Sequence, residues 1–427
     1  MITNFDYDAI VVGAGHAGTE AAHALATLGK NTLMLCLNKK VMANLPCNPS
    51  IGGSAKGIVV REIDALGGIE GKLADKTALQ MKVLNMSKGP GVRSLRAQED
   101  KVDYPKAVLA YMEQVKNLTI KEGMAVDLIV DDDKSIRGVV MEDGSRITSK
   151  VVVLTTGTHM ESLILRGHVV KEGGPDGEKA SHGLSQALKN LGIELLRLKT
   201  GTPPRIKRDS IDFSKLEPQP GTPGQWAFSY DTNEFLPVEK MIMCYLTYTT
   251  PETHKIILDH LKDSAMYGGV VKGVGPRYCP SIEDKVVRFK DHPRHMLFVE
   301  PESIHTDSIY LQGFSTSMPV ELQGPMVHSL PGFEHAEFLK YAYAIEYDAI
   351  QPLQVQRNLM IRNHPGLFIA GQILGTSGYE EAAGAGLLAG INASLYIDNK
   401  PWFTLRRDQA YLGVMIDDLV TKGTKEP

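Results

Sequence analysis

A strand-like run, Asp8-Ala9-Ile10-Val11-Val12, leads directly into Gly13-Ala14-Gly15-His16-Ala17-Gly18 and then into an alanine-rich helical stretch, Thr19 to Leu28. A second strand-like run, Asn31 to Leu37, completes a βαβ pattern. In such a unit the first glycine permits the tight turn and the second lets backbone N–H groups approach a pyrophosphate. The third allows helix and strand to pack closely, while the peptide dipoles at the helix start favour phosphate charge. Residues Gly13, Ala14, Gly15, His16, Ala17 and Gly18 are therefore the expected phosphate-binding loop of a dinucleotide site. An acid for the adenosine ribose usually follows about 20 residues on. Here the second strand ends at Asn38, whose amide can hydrogen-bond a hydroxyl instead.

A second half-site is expected near residues 366–390. Gly366 to Gln372 reads as a short buried strand closing on a glycine, and Gly378 to Gly390 as a helix of small residues. Glycine costs a helix about 1 kcal/mol per residue against alanine, so close packing on something flat is the expected compensation, and a flavin ring would suit. The N-terminus of such a helix would stabilise an anionic reduced flavin. The alternative is tight helix-on-sheet packing with no ligand. Between the two half-sites, Val151 to Leu154 is an apolar strand ending in Thr155-Thr156-Gly157-Thr158, and Ala125 opens a strand running to Val130. Ala125 is the expected main-chain contact to adenine. These segments agree on an α/β fold: a glutathione-reductase-type FAD-binding Rossmann domain assembled from both ends of the chain, with an inserted α+β domain.

The expected organisation is a first part of the FAD domain over residues 1–200, an inserted lobe over 201–341, a second part over 342–400, and the start of a further region over 401–427. The lobe is marked by many prolines and short β-like runs, Met241 to Tyr248, Met296 to Val299 and Ser308 to Gln312. It is the expected NAD(P)H site, although its nearest glycine-rich candidate, Gly268 to Gly275, is not a clean GxGxxG.

With 427 residues, 43% hydrophobic and 22% charged, the composition is that of an ordinary globular protein. No apolar run approaches the roughly 20 residues needed to span a bilayer, and the glycine loop begins too early for a signal peptide to precede it. A cytoplasmic protein without membrane contact is expected. The net charge of −4 gives no global attraction to nucleic acid, so RNA binding must be local. The basic segments available are Lys82 to Lys106, with Lys88, Arg93 and Arg96, and Lys199 to Arg208, with Lys199 and Arg205. For either segment alone, a solvated basic surface is the better reading.

The cysteines are Cys36, Cys47, Cys244 and Cys279. Cys36 and Cys244 lie in apolar strand-like runs and are expected to pack. Cys47 and Cys279 lie in proline- and glycine-rich loops, where Arg277 beside Cys279 can lower a thiol pKa. The spacings encode neither a zinc cluster nor a redox dithiol, so no metal is expected. A lone loop cysteine is instead a candidate nucleophile toward an electrophilic carbon.

Taken in order, the Cys47 loop with Ser54-Ala55-Lys56-Gly57, Asp64 to Gly68, Ser87 to Arg93, Lys199 to Arg205, Gly273 to Lys285, Tyr343 to Asp348, Gly378 to Ala383 and Gln409 to Val414 resemble the MnmG (GidA) family over essentially the whole chain. The resemblance implies an FAD subunit that works as a homodimer with the GTPase MnmE on tRNA. Together they place a carboxymethylaminomethyl or aminomethyl group on C5 of the wobble uridine, using methylene-tetrahydrofolate, glycine or ammonium, and NADH. It also implies a protein thiolate adding to uridine C6, with Cys279 the first choice and Cys47 the second. By the same resemblance Ser181 and Gln372 touch FAD, Gly275, Pro276, Arg277 and Tyr278 lie in the nicotinamide segment, and Lys88, Arg93, Arg96, Lys199 and Arg205 become tRNA candidates. Family members continue by about one further, largely helical domain, which the resemblance implies is absent here. Two other readings are a folate- and FAD-dependent tRNA uridine C5-methyltransferase and a non-catalytic FAD-holding fragment that docks tRNA or a partner.

Overall fold

The computed structural model describes residues 4–276 and 280–423. The expected βαβ unit is present as strand Tyr7–Val12, helix His16–Thr27 and strand Thr32–Cys36. These strands join a seven-stranded sheet in which Leu118–Glu122, Thr32–Cys36, Tyr7–Val12, Arg146–Leu154 and Leu367–Ile369 run parallel. Ile10, Val11, Leu33, Met34 and Val151 to Leu154 are almost completely buried, which is why these strands read as unbroken apolar runs rather than alternating ones. Strand Arg146–Leu154 starts earlier than its apolar stretch suggests. Its half-exposed first residues leave the parallel layer to pair antiparallel with Ile136–Met141, and Ala125–Val130 pairs antiparallel beyond that.

The small-residue helix runs from Tyr379 to Ile397, and its flat partner is not the one expected. A Cβ on Gly386 would lie 2.0 Å from the Ala17 carbonyl oxygen, and one on Gly390 would lie 2.5 Å from that of Ala21. The glycines therefore let this helix lie directly on the backbone of helix His16–Thr27. Dispersion contacts between the two backbones offset the poor helix propensity. Only the N-terminal end of the helix, Gly378, Tyr379 and Ala382, faces the large cleft.

Strand Leu195–Thr202 pairs along its whole length with Tyr343–Ile350 in a four-stranded antiparallel sheet. Between them, six strands from Arg205–Lys207 to Phe338–Lys340 form a second antiparallel sheet. That sheet packs its own apolar cluster, including Leu297, Leu311, Phe314 and Phe333, against helices Ile282–Arg288 and Val320–His328. A three-stranded sheet, Ser50–Gly52, Ser94–Glu99 and Ala78–Leu84, ties the two regions together through Arg96–Glu300 and the hydrogen bonds of Gln80 to the Gln219 and Ile242 carbonyl oxygens. Among the described residues no helix is long and apolar enough to cross a membrane.

Candidate functional site

A cleft bordered by the glycine loop, partly open to solvent, has a volume of about 1380 Å³, room for a cofactor-sized ligand. Its wall is built from segments far apart in the chain: Gly13 to Ala17, Asn38, Cys47, Ala125, Thr155 to His159, Ser181, Thr200 to Thr202, Tyr343, Gln372 and Ser377 to Tyr379.

The glycine loop divides its labour as the motif predicts. Gly13 has φ +106°, and a Cβ there would lie 2.3 Å from the Thr155 carbonyl oxygen. On Gly18 it would lie 1.9 Å from the Gly13 carbonyl oxygen. These two residues are glycine for turning and packing, and Gly18 accordingly stands behind the cleft wall. At Gly15 a Cβ would meet nothing within 4 Å. This open position caps helix His16–Thr27, whose first N–H groups have no intrahelical acceptor, so it is a cradle an anionic group can enter.

The polar groups around the cleft suit a dinucleotide. The Thr156 and Ser181 hydroxyls are buried with no hydrogen-bond partner among the described residues, and both line the cleft. Asn38 departs from its simplest expectation, because its Oδ1 accepts the Lys40 N–H at 3.0 Å and caps a short turn. Gln372 donates through Nε2 to the Tyr347 hydroxyl at 2.7 Å. The expected cofactor residues Gly13, Ala14, Gly15, His16, Ala17, Asn38, Ala125, Ser181 and Gln372 thus share one wall. Gly275 and Pro276 do not line it; Val274 is bridged to Leu198, beside the four-stranded sheet. Arg277, Tyr278 and Cys279 lie outside the described residues.

Cys47 sits on the cleft wall, in a loop held at several points. The Tyr379 hydroxyl accepts the N–H groups of Cys47 and Asn48 at 2.8 and 3.1 Å. Arg205 Nη2 and Thr202 Oγ1 both donate to the Pro46 carbonyl oxygen, at 2.8 and 3.2 Å. Beyond the loop, Glu380 accepts the Gly52 N–H at 2.7 Å. The Tyr379 ring also stacks on His16 at 4.5 Å between centroids, so one side chain joins the glycine loop to the cysteine loop. Burial, followed by the charge of Cys47, pushes the Tyr379 hydroxyl well above its ordinary pKa, and it stays protonated. Cys36 and Cys244 are buried as expected, with burial pushing their thiols up to about 11 and about 12.

The basic candidates divide. Lys88 and Arg93 stand exposed on the loop around residues 85–93, with no ion pair among the described residues. Arg96, Lys199 and Arg205 correct the expectation of RNA-facing charge. Arg96 turns inward onto Glu300 at 2.6 Å. Lys199 is 5% exposed and its Nζ lies 3.6 Å from Met266 Sδ. Arg205 is 2% exposed, ion-paired with Glu302 at 3.1 Å and stacked on Tyr310 at 4.8 Å. A guanidinium carries five donors and is buried only where acceptors meet them; Glu302, Thr202, Pro203 and Pro46 do so.

Sequence reasoning gave no role to Tyr379, Tyr343 or the His159–Glu178 pair, whose Nε2 and Oε2 are 2.7 Å apart. All four line the cleft. The one available signal was an aromatic residue at the first turn of a helix otherwise made of small residues.

A family profile described as "Glucose inhibited division protein A" matches residues 8–401. The chain is 57% identical over 421 residues to the tRNA uridine 5-carboxymethylaminomethyl modification enzyme MnmG of Acholeplasma laidlawii, covering 99% of this chain and 68% of the relative. It is 54% identical to the protein of the same name in Mycoplasma capricolum, covering 99% and 67%. The solved structure of Aquifex aeolicus GidA superposes with a TM-score of 0.94 at 45% identity, over 100% of this chain and 69% of that one. Matched from the first strand through the small-residue helix, the chain belongs to the glucose inhibited division protein A family.

Proposed function

We propose that the cleft holds FAD and that the chain is the flavin subunit of an enzyme building a carboxymethylaminomethyl or aminomethyl group on C5 of the tRNA wobble uridine. NADH is the reductant, methylene-tetrahydrofolate the carbon donor, and a homodimer pairing with the GTPase MnmE the working form, in the cytoplasm. The observation that carries the reading is a cysteine, Cys47, whose backbone is fixed on the wall of the cleft that the glycine loop borders. The printed names of relatives matching 99% of the chain support it.

In this reading the N–H groups at the start of helix His16–Thr27 hold the diphosphate, the Ala125 backbone meets adenine, and Asn38, Thr156, Ser181 and Gln372 hydrogen-bond the polar chain between the rings. The Tyr379–Ile397 helix turns its N-terminus into the cleft beside the glycine loop, where its dipole favours negative charge. Bound flavin supplies the redox chemistry and one-carbon transfer that no side chain offers. A thiolate, Cys279 first and Cys47 second, adds to uridine C6, and the displaced electron pair makes C5 nucleophilic. Once C5 has bonded to the one-carbon unit it loses its proton, and the S–C6 bond breaks to restore the ring. The region 201–341 is the inserted lobe, with Gly275 and Pro276 in its nicotinamide segment. Lys88 and Arg93 lie along the tRNA backbone.

Two measurements test this. Anaerobic NADH should bleach the flavin band of the FAD-loaded protein, and a flavin that stays oxidised would remove the nicotinamide site. In a host lacking its own enzyme, mass spectrometry of wobble nucleosides should show the modification lost in Cys279→Ser. Persistence in a double variant that also carries Cys47→Ser would remove the thiolate step.

A further inference from the structure

Behind the glycine loop, carboxyl groups outnumber cations. Glu20, Glu70, Glu99 and Glu380 are each no more than 2% exposed. The cation that meets this group is Lys56, engaged by Glu380 at 3.1 Å and Glu381 at 3.4 Å. Glu20 spends one oxygen on the N–H groups of Ile69 and Glu70, both at 2.8 Å. Glu70 is left with no hydrogen-bond donor among the described residues at either oxygen. His16 Nδ1 lies 3.3 Å from its Oε1.

The other nitrogen of that ring decides between two protonation states. His16 Nε2 lies 3.3 Å from the Asn44 carbonyl oxygen, which can only accept, so Nε2 carries a hydrogen. The pair is then either imidazolium with carboxylate, or a neutral imidazole whose Nδ1 accepts from a carboxylic acid. An ionised Glu70 would bury an anion with one oxygen unsolvated, next to Glu380 and Glu381. The neutral pair avoids that desolvation cost. We propose that Glu70 is a positioning residue for the diphosphate-binding loop, acting as a neutral carboxylic acid that donates its proton to His16 Nδ1.

The pair is crowded from every side. His16 and Glu20 come from the glycine-loop helix, Glu380 and Glu381 from the small-residue helix, and Lys56 from helix Lys56–Ala65. Glu99 comes from strand Ser94–Glu99, and Tyr104 stacks on His16 at 5.8 Å. Burial favours the uncharged form of each partner, holding His16 down to about 4 and raising Glu70 well above the carboxylate range. The consequence bears on the ligand. A diphosphate on the first N–H groups of this helix would be repelled by an ionised carboxylate behind them, and a protonated Glu70 removes that repulsion while fixing the ring. If Glu70 ionises, its proton goes to solvent and two acceptors face each other across 3.3 Å.

This rests on the FAD reading for its ligand, but not for its proton. Infrared difference spectra of the cofactor-free protein near pH 7 should show a protonated carboxyl stretch that is partly lost in Glu70→Gln; an unchanged band overturns the proposal. Nitrogen-15 NMR of the wild type should show His16 as the neutral Nε2–H tautomer, and an imidazolium overturns it without any variant. FAD affinity, followed by flavin fluorescence, should fall about tenfold per pH unit once Glu70 ionises. Glu70→Gln, which still donates to Nδ1 and cannot ionise, should bind as tightly as wild type at neutral pH and keep that affinity in alkali. Weaker binding by Glu70→Gln at every pH would mark a lost ion pair and overturn the proposal. A wild type that binds no FAD would remove the cofactor reading and leave the spectra to decide the proton.

Discussion

Tyr379 holds Cys47 by its backbone: the phenol oxygen accepts the Cys47 N–H at 2.8 Å and the adjacent Asn48 N–H at 3.1 Å. Tyr379→Phe keeps the stack on His16 and leaves both amides without their acceptor. Stability should fall by about 1–3 kcal/mol. Alkylation of Cys47, followed on its own peptide by mass spectrometry, should accelerate as the loop loosens. A Cys47 rate equal to wild type would show that the Pro46 contacts hold the loop by themselves.

Two glycine substitutions should separate folding from ligand binding. Gly15→Ala adds a Cβ with nothing within 4 Å, so melting temperature should stay near wild type while FAD binding drops. Gly386→Ala puts a Cβ 2.0 Å from the Ala17 carbonyl oxygen, so the helices must part at a cost of about 1–3 kcal/mol. Thermal melting with and without FAD measures both.

Burial raises Glu20 from 4.5 to about 8 in the folded protein, so between those values the folded state holds a proton that the unfolded state has lost. The stability this contributes is fully present below pH 4.5 and is lost as pH rises through about 8. Urea midpoints should therefore decline over that window in wild type, and the decline should be shallower in Glu20→Gln. Equal slopes in the two proteins would show that Glu20 is ionised throughout.

Changing the charge should act differently at exposed and buried basic residues. Arg93→Glu and Lys88→Glu should leave melting unchanged, weaken tRNA binding and reduce its salt dependence. Arg205→Ala strands Glu302 and frees Pro46, and should cost about 3–5 kcal/mol of stability. Filter binding across a salt series, beside thermal melts, reads both effects.

The elements that build the cleft were legible because their signals are local. Gly13 to Gly18 sit between a buried strand and a helix, and Ser308 to Gln312 matches its strand residue for residue. Burial of charge was not legible. Arg205 stands in a basic, proline-rich stretch that reads as solvated, and only its acceptors, from segments as distant as Pro46 and Glu302, turn it inward. The same holds for the small-residue helix: its composition announces a close neighbour, but Ala17 and Ala21 are identified as that neighbour only by the tertiary packing.

The parallel sheet is finished by a late arrival, since Leu367–Ile369 takes its place beside Arg146–Leu154 and helix Tyr379–Ile397 then covers Ala17 and Ala21. On the ribosome, the glycine loop emerges first and waits for more than three hundred further residues before its covering helix exists. Enclosure of the cleft therefore waits for the closing strand and helix. A chain cut ahead of Leu367 leaves the sheet edge at Arg146–Leu154 and the backbone at Ala17 and Ala21 uncovered.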